Sequence, residues 1–460
     1  MSVPVFKSIF PYTQELLAEY PLMDDRQLDQ AISNASAAYQ TWKKFNFYER
    51  GRVLKNVATI LRRDQEMLAS LITKEMGKIT SEAMGEVEKC AGAAEYFADH
   101  SEILLKDELL EAGYLKSFVC FQPIGVILGI MPWNFPFWQV FRYAAPTIMA
   151  GNTTLLKHAP NVCGCALALE KIFLEAGAPK GVFTSLIIDT PAVAKILSSD
   201  TVHAVTLTGS ERAGASVAAL AGSNIKKSVM ELGGSDALIV LPDADMQMAV
   251  SVALNSRMQN AGQSCIAAKR FIILKDAAQD FLHKFLIRLK DFKQGDPFDE
   301  NSNLGPMARL DLANALGQQL KNSVKMGAGL EYGGELDGCN FKPALLLDVK
   351  RGMPAFDEET FGPMAAVIIA NDETDAVRLA NDSRYGLAAS IWTKDIQKGI
   401  DMAKQLDSGG VFINALVKSD PRLPFGGIKK SGYGRELDRH GIMEFVNIKT
   451  IAISQPETLL

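Results

Sequence analysis

Between residues 24 and 110, apolar positions recur at three- and four-residue steps among charged ones. The stretches DDRQLDQAISNASAAYQTWKK and ERGRVLKNVATILRRDQEMLASLITKEMGK carry this rhythm and predict a helical hairpin. Gly77 stands where a glycine commonly closes a helix, so the second helix is expected to end there. From about residue 115 the rhythm changes to short β-branched runs separated by helical segments. GVILGIMP (125–132), NTTLLK (152–157), GVFTSLII (181–188) and HAVTLTGS (203–210) predict strands, with CALALEKIFLEAG (165–177) and PAVAKILSS (191–199) as helices between them. Such alternation predicts a doubly wound parallel sheet. A second alternating block begins at ALIVLPDADMQMAVSVALNSRMQNAG (237–262) and runs through RFIILKD (270–276) to AAVIIA and AASIW, which predicts a second α/β unit after residue 231. The tail EFVNIKTIAISQ (444–455) is β-rich and has no neighbour in sequence to pair with. It is expected to pair elsewhere, across a subunit interface.

Size and charge narrow the classes. A chain of 460 residues predicts two or three domains. A net charge of −5 with scattered basic residues excludes an electrostatic footprint for nucleic acid or an anionic membrane. The longest apolar stretch, PIGVILGIMPW (123–133), is broken by Gly and Pro and falls short of the roughly 18 residues a membrane span needs. The start lacks the flank and apolar run of a signal peptide. Six cysteines at 90, 120, 163, 165, 265 and 339 follow no framework spacing, which predicts a reduced, cytoplasmic setting. Cys163 and Cys165 have no companion pair to complete a metal site, so they are expected to be core thiols and no metal is expected.

One cysteine has a different context. NAGQSCIAAKR (260–270) sets Cys265 between a glycine-bearing turn and small residues, with no histidine within a dozen positions. A thiol nucleophile normally takes its thiolate from a basic partner. For a dinucleotide, the chain offers no G-x-G-x-x-G and no phosphate loop with a lysine. It does offer TLTGSERAG (206–214), a strand, a glycine turn and a helix start in which Ser210 is a good N-cap for an anion site. On its own this motif reads first as a plain capped helix.

The ordered set PWNFP (132–136), MELGGSD (230–236), NAGQSC (260–265), EETFGP (358–363) and PFGGIKKSGYGRE (424–436) resembles the aldehyde dehydrogenase superfamily over nearly the whole chain. The resemblance implies that fold: an NAD(P)-binding domain at 1–107 and 126–231, a catalytic domain at 232–432, and an oligomerisation element at 108–125 and 433–460. It also implies a homodimer or homotetramer and oxidation of an aldehyde to an acid with NAD or NADP. The residue types suit that chemistry. Hydride leaves an aldehyde carbon only once a nucleophile has made it tetrahedral, so Cys265 would form a thiohemiacetal. The Asn134 carboxamide and the Cys265 N–H would hold its oxyanion. Glu231 would activate the water that hydrolyses the resulting thioester. By the same resemblance Lys157 would meet the adenosine ribose, Ser210 the pyrophosphate, Trp133 the nicotinamide, and Glu359 and Phe361 its ribose, with Met131, Leu232 and Gly233 lining the same cleft. Pro160 stands where NAD-preferring relatives often carry an acid, so with Lys157 and His158 near, NADP is expected to be admitted.

LLKHAPNVCGCA, ELGGSDALIVLPDAD, AAKRFIIL and LGPMARLDL are closest to the bacterial succinate-semialdehyde dehydrogenase type. A distal carboxylate on the substrate needs a cation in the tunnel. Asn134, Trp138 and Arg142 recur every four residues in WNFPFWQVFRY and form one ridge if that segment is helical. Arg142 would bind the carboxylate, Trp138 would wall the chain, and Ser419 would add a hydrogen bond; a structural ion pair is the other reading of Arg142. Ala267 occupies the place where some relatives have a second, redox-active cysteine, so no such disulfide is expected. Another semialdehyde such as glutarate semialdehyde, and a thiol esterase or acyltransferase without redox chemistry, remain alternatives.

Overall fold

The computed structural model describes residues 4–454; residues 1–3 and 455–460, at the outer ends of the expected domain segments, lie outside them. Four helices, Asp25–Trp42, Phe47–Arg63, Gln65–Met76 and Thr80–Leu104, fill the region read as a hairpin. Two start in reciprocal caps, Asp24 with Gln27 and Asn46 with Glu49. The long periodic run is two helices, not one. At Asp64 the backbone leaves helical angles (φ −103°, ψ 16°), and Arg63 donates to its carboxylate. Gly77 closes the second of them at φ 80°, a left-handed position that favours glycine. A hairpin of Val5–Ile9 and Leu16–Pro21 precedes the helices; its loop carries Pro11, and no periodicity announced it.

The first large sheet has the order Gly432–Tyr433, Lys227–Glu231, Val202–Thr208, Val126–Ile130, Thr153–Lys157, Phe183–Ser185. All neighbours are parallel except the first pair, where Gly432 lies opposite Glu231. Thus the glycine-rich segment near the C-terminus edges this sheet, close to the expected 432/433 division. The central strands are buried on both faces, which is why they read as unbroken β-branched and apolar runs. Order reverses at Val126–Ile130, and ligands bind beyond the carboxyl ends of strands at such a switch point.

A seven-stranded sheet runs Gly329–Tyr332, Ala344–Leu347, Met364–Ala370, Ala268–Leu274, Asp236–Val240, Ala388–Trp392, Gly410–Ile413, with only the first strand antiparallel. Residues that precede its strands, such as Cys265 and Phe361, meet residues that follow strands of the first sheet in one cleft. The C-terminal strand Val446–Ile453 pairs along its full length with Lys116–Pro123 of the same chain, and Glu108–Leu109 completes a three-stranded sheet. This corrects the expectation that its partner strand lies across an interface. Helices Phe47–Arg63, Thr80–Leu104 and Trp138–Met149 pack together behind the cleft. Trp42 is fully buried there and its indole N–H donates to the Ile148 carbonyl at 2.9 Å.

Candidate active site

The loop that carries Cys265 is built from unfavourable backbone. Asn260, Ala261 and Gly262 all lie at positive φ, 53°, 50° and 73°. For the two with a Cβ this costs roughly 1–2 kcal/mol each, so the surroundings must over-determine it. Both carboxylate oxygens of Glu82 accept the Asn260 N–H at 3.0 Å. The Asn260 amide donates to the carbonyls of Asn134 and Gln263 at 2.8 and 3.2 Å, and Arg257 donates to Gly262 at 2.5 Å. On the far side of the thiol, buried Lys269 donates to the carbonyls of Ser264, Cys265 and Ala267 at 2.9, 2.8 and 3.3 Å. Three acceptors consume three N–H bonds, so Lys269 is an ammonium ion. It also lies 3.7 Å from the Glu359 carboxylate. Burial pushes the Cys265 thiol up to about 11, and the charges of Arg142 and Lys269 pull it back.

Asn134 sits in the turn between Ile130 and the helix Trp138–Met149. It precedes that helix, so the expected three-residue ridge reduces to Trp138 and Arg142. Two neighbours fix the turn. Glu86 accepts the N–H groups of Phe137 and Trp138 at 2.8 and 3.0 Å, capping the helix with charge. The His158 Nε2–H donates to the Pro136 carbonyl at 2.8 Å while its Nδ1 accepts from Ala159 at 2.9 Å. Burial drives His158 down to about 4, so it is neutral and points at backbone. Of the two residues expected near the ribose, His158 therefore brings no charge there. One Asn134 amide hydrogen goes to the Gln263 carbonyl at 3.1 Å, which leaves the second for a ligand in the cavity that Asn134 and Cys265 share.

Glu231 ends its strand with both carboxylate oxygens buried and without hydrogen-bond partners. Its surroundings are Glu436, Arg142 and Gly426, where a Cβ would stand 2.5 Å from Oε1. Burial, then the charge of Glu436, raise its carboxyl far above the usual range. Glu231 is absent from the walls of both cavities onto which Cys265 opens. It stands one layer behind them.

The first cavity, about 240 Å³, is lined by Trp133, Ser210, Leu232, Gly233, Glu359 and Phe361. Ser210 caps the helix Glu211–Ser223 by accepting from Ala213. Trp133 and Phe361 meet edge to face at 5.8 Å. One Glu359 oxygen accepts the Gly234 N–H at 3.0 Å, and the other carries no hydrogen bond. Any side chain at Gly233 would strike that free oxygen, since a Cβ would come within 2.5 Å of it. A helix N-terminus, an apolar slot and a free carboxylate oxygen fit a dinucleotide's phosphates, ring and ribose hydroxyls. Lys157 and Met131 lie outside these walls at the adjacent strand ends, joined by the Met131 N–H to the Lys157 carbonyl at 3.0 Å.

The second cavity, about 500 Å³, reaches Cys265 from the opposite side, past Trp138, Arg142, Ser419 and Lys89. Arg142 is 2% exposed and spends its charge inward. Its Nε donates to Glu436, its Nη2 to Thr208 at 3.2 Å, and its plane covers the Phe425 ring at 4.3 Å. The ion-pair reading of Arg142 therefore describes the structure, with a partner in the loop near the C-terminus, not on a neighbouring helix.

The sequence profile of the aldehyde dehydrogenase family matches residues 2–451. The chain belongs to the aldehyde dehydrogenase family. Among its relatives is a succinate semialdehyde dehydrogenase (NAD(P)+) of Escherichia coli strain K12, 45% identical over 447 residues that cover 96% of this chain and 97% of that one. A probable succinate-semialdehyde dehydrogenase (NADP(+)) of Synechocystis is 44% identical over 450 residues, 97% of this chain and 99% of the relative. The crystal structure of succinic semialdehyde dehydrogenase from Streptococcus pyogenes with NADP+ superposes with a TM-score of 0.96 at 39% identity, covering 98% of this chain and all of that one.

Several residues of this aldehyde dehydrogenase site had no signal in the family motifs. Lys89 and Glu82 lie on a helix read only as packing. Lys269 sits four residues after the thiol in a strand-like run. Leu312, on the helix Leu310–Lys325, reaches the first cavity from far along the chain. Glu436, in contrast, ends the quoted PFGGIKKSGYGRE motif, and its pairing with Arg142 was legible only as a charge without a partner.

Proposed function

We propose that this aldehyde dehydrogenase oxidises succinate semialdehyde to succinate with NAD or NADP. The observation that carries the reading is that one sulfur, Cys265, opens on two cavities of different character. One is shaped for a dinucleotide; the other is a channel walled by Trp138 and bearing the basic side chain of Lys89. The Cys265 thiolate adds to the aldehyde carbon, and the free Asn134 amide hydrogen and the Cys265 N–H receive the oxyanion. Trp133, Ser210, Leu232, Gly233, Glu359 and Phe361 hold the dinucleotide, with Met131 and Lys157 at the neighbouring strand ends. When bound, it supplies the hydride acceptor. A thioester then remains on Cys265. Glu231 swings from its place beside Glu436 towards the sulfur, releases to solvent the proton that burial and Glu436 hold on it, and as a carboxylate takes one from the water that hydrolyses the thioester. The names of the relatives in Escherichia coli, Synechocystis and Streptococcus pyogenes support the substrate and the use of NADP.

The segments 1–107 and 126–231 form the cofactor domain in this reading, 232–432 the catalytic domain, and 108–125 with 433–460 the element that joins subunits. The three-stranded sheet leaves Leu109, Leu110 and Ile448 exposed, which supports a homodimer or homotetramer. Among the described residues no helix is long and apolar enough to cross a membrane; six sparse cysteines without framework spacing support a cytoplasmic setting. The test is a steady-state panel of aldehydes with each cofactor on the parent protein and on Cys265→Ala. The parent forms reduced nicotinamide fastest from succinate semialdehyde, and the variant forms none. Aldehyde oxidation by the alanine variant at the parent's rate would refute the mechanism.

A further inference from the structure

Resting on the carboxylated substrate just proposed, we propose that Lys89, assisted by the Ser419 hydroxyl, is the group that binds the distal carboxylate, and that Arg142 is not. Lys89 projects from the helix Thr80–Leu104 into the channel that ends at Cys265. Its Nζ donates to Ser419 Oγ at 2.9 Å and lies 4.0 Å from the centre of the Trp138 ring. Trp138 Nε1 donates to the same Ser419 oxygen, also at 2.9 Å.

Counting donors gives the argument its direction. The Ser419 oxygen has two lone pairs, and both are occupied, so its own hydrogen is left to donate. The ammonium of Lys89 has three hydrogens, and only one is engaged. Among the described residues no carboxylate lies within ion-pairing distance of it. The two acids whose charge acts on it are taken: Glu86 by Lys78 and two backbone N–H groups, Asp420 by Arg422. Burial, and then the charge of Arg142, draw Lys89 down to about 8, as suits an ammonium held in a pocket without a counterion. Two Lys89 hydrogens and one Ser419 hydrogen thus converge on the channel, a set that a carboxylate with two oxygens would satisfy. Arg142 is the weaker anchor because Glu436 already neutralises it. Trp138 then plays two parts: its face carries the cation and its N–H orients Ser419.

The test compares kcat/KM for succinate semialdehyde with kcat/KM for butanal, a neutral aldehyde of equal chain length, in the full-length enzyme. The parent prefers the carboxylated substrate. Lys89→Met reduces that preference about 30-fold, chiefly through KM, as expected for loss of a charge-assisted hydrogen bond. Lys89→Arg, which keeps the charge, recovers most of it, and Ser419→Ala, a small change in a wall residue, reduces it several-fold. If the parent shows no preference, the substrate reading itself fails and this assignment with it. If the parent prefers the acid and Ser419→Ala and Lys89→Met both keep that preference, the assignment to Lys89 is overturned while the substrate reading stands.

Discussion

Replacing Arg142 by leucine should destabilise the fold far more than a surface change would. Arg142, Glu436 and Glu231 are 2%, 3% and 2% exposed; the guanidinium pairs with Glu436, and its charge, with that of Arg435, also draws the Glu231 carboxyl down. Removing it leaves Glu436 buried without its ion-pair partner and Glu231 beside it with only the charge of Arg435 to offset burial. Breaking a buried pair from one side costs about 3–5 kcal/mol, whereas replacing both partners by apolar residues is often near neutral. Arg142→Leu should therefore lose about 3–5 kcal/mol, and Arg142→Leu with Glu436→Leu should recover at least ~2 kcal/mol of that loss. The sign of the pH dependence follows. In the single variant the folded carboxyls of Glu231 and Glu436 stand even further above their unfolded values, since a lowering charge is gone. A folded acid with a raised value holds its proton more tightly than the unfolded chain, so its stability is intact below the ordinary glutamate range and falls as pH rises. The defect of Arg142→Leu should be smaller near pH 5 than near pH 8. Urea unfolding followed by circular dichroism, at one protein concentration and at both pH values, measures it. A single variant within about 1 kcal/mol of the parent, or a double variant no better than the single, would refute the claim that Arg142 is spent on holding two buried acids.

Two further substitutions probe the reacting end of the channel. Asn134→Ala removes one oxyanion donor and should lower kcat by about 10²–10³ with a smaller change in KM, read in steady-state assays. Lys269→Met removes a fixed positive charge beside the thiol, so the Cys265 thiol should rise above its already high value. Alkylation by iodoacetamide at one fixed pH should then slow by about tenfold, the equivalent of one pKa unit. An unchanged rate in a variant with native circular dichroism would leave Lys269 with a packing role alone.

Strand runs such as NTTLLK and AASIW were legible because strands buried on both faces must be apolar throughout. The proposed catalytic trio was legible only through its motifs, since no local pattern distinguishes Cys265 from a core thiol. What stayed hidden depends on contacts across hundreds of residues. Glu82 holding Asn260, Glu86 capping the Trp138 helix, and Lys89 reaching Ser419 all come from one helix whose spacing spelled only packing. The break at Asp64 was hidden for a different reason, because the helical period continues through it. Arg142 shows the converse case. A cation in the right place was visible, and the acid at 436 that consumes it was visible too, but only the fold puts them in contact.

The covalent route through Cys265 is tested most directly by trapping its acyl form. Glu231→Gln should still pass from thiohemiacetal to thioester but hydrolyse slowly, so the enzyme quenched after mixing with succinate semialdehyde and NADP+ should carry one succinyl group on the tryptic peptide containing Cys265. That group should be missing when either aldehyde or cofactor is omitted. An adduct on another residue, an adduct formed without cofactor, or unmodified Cys265 in a variant that still turns over would contradict the account.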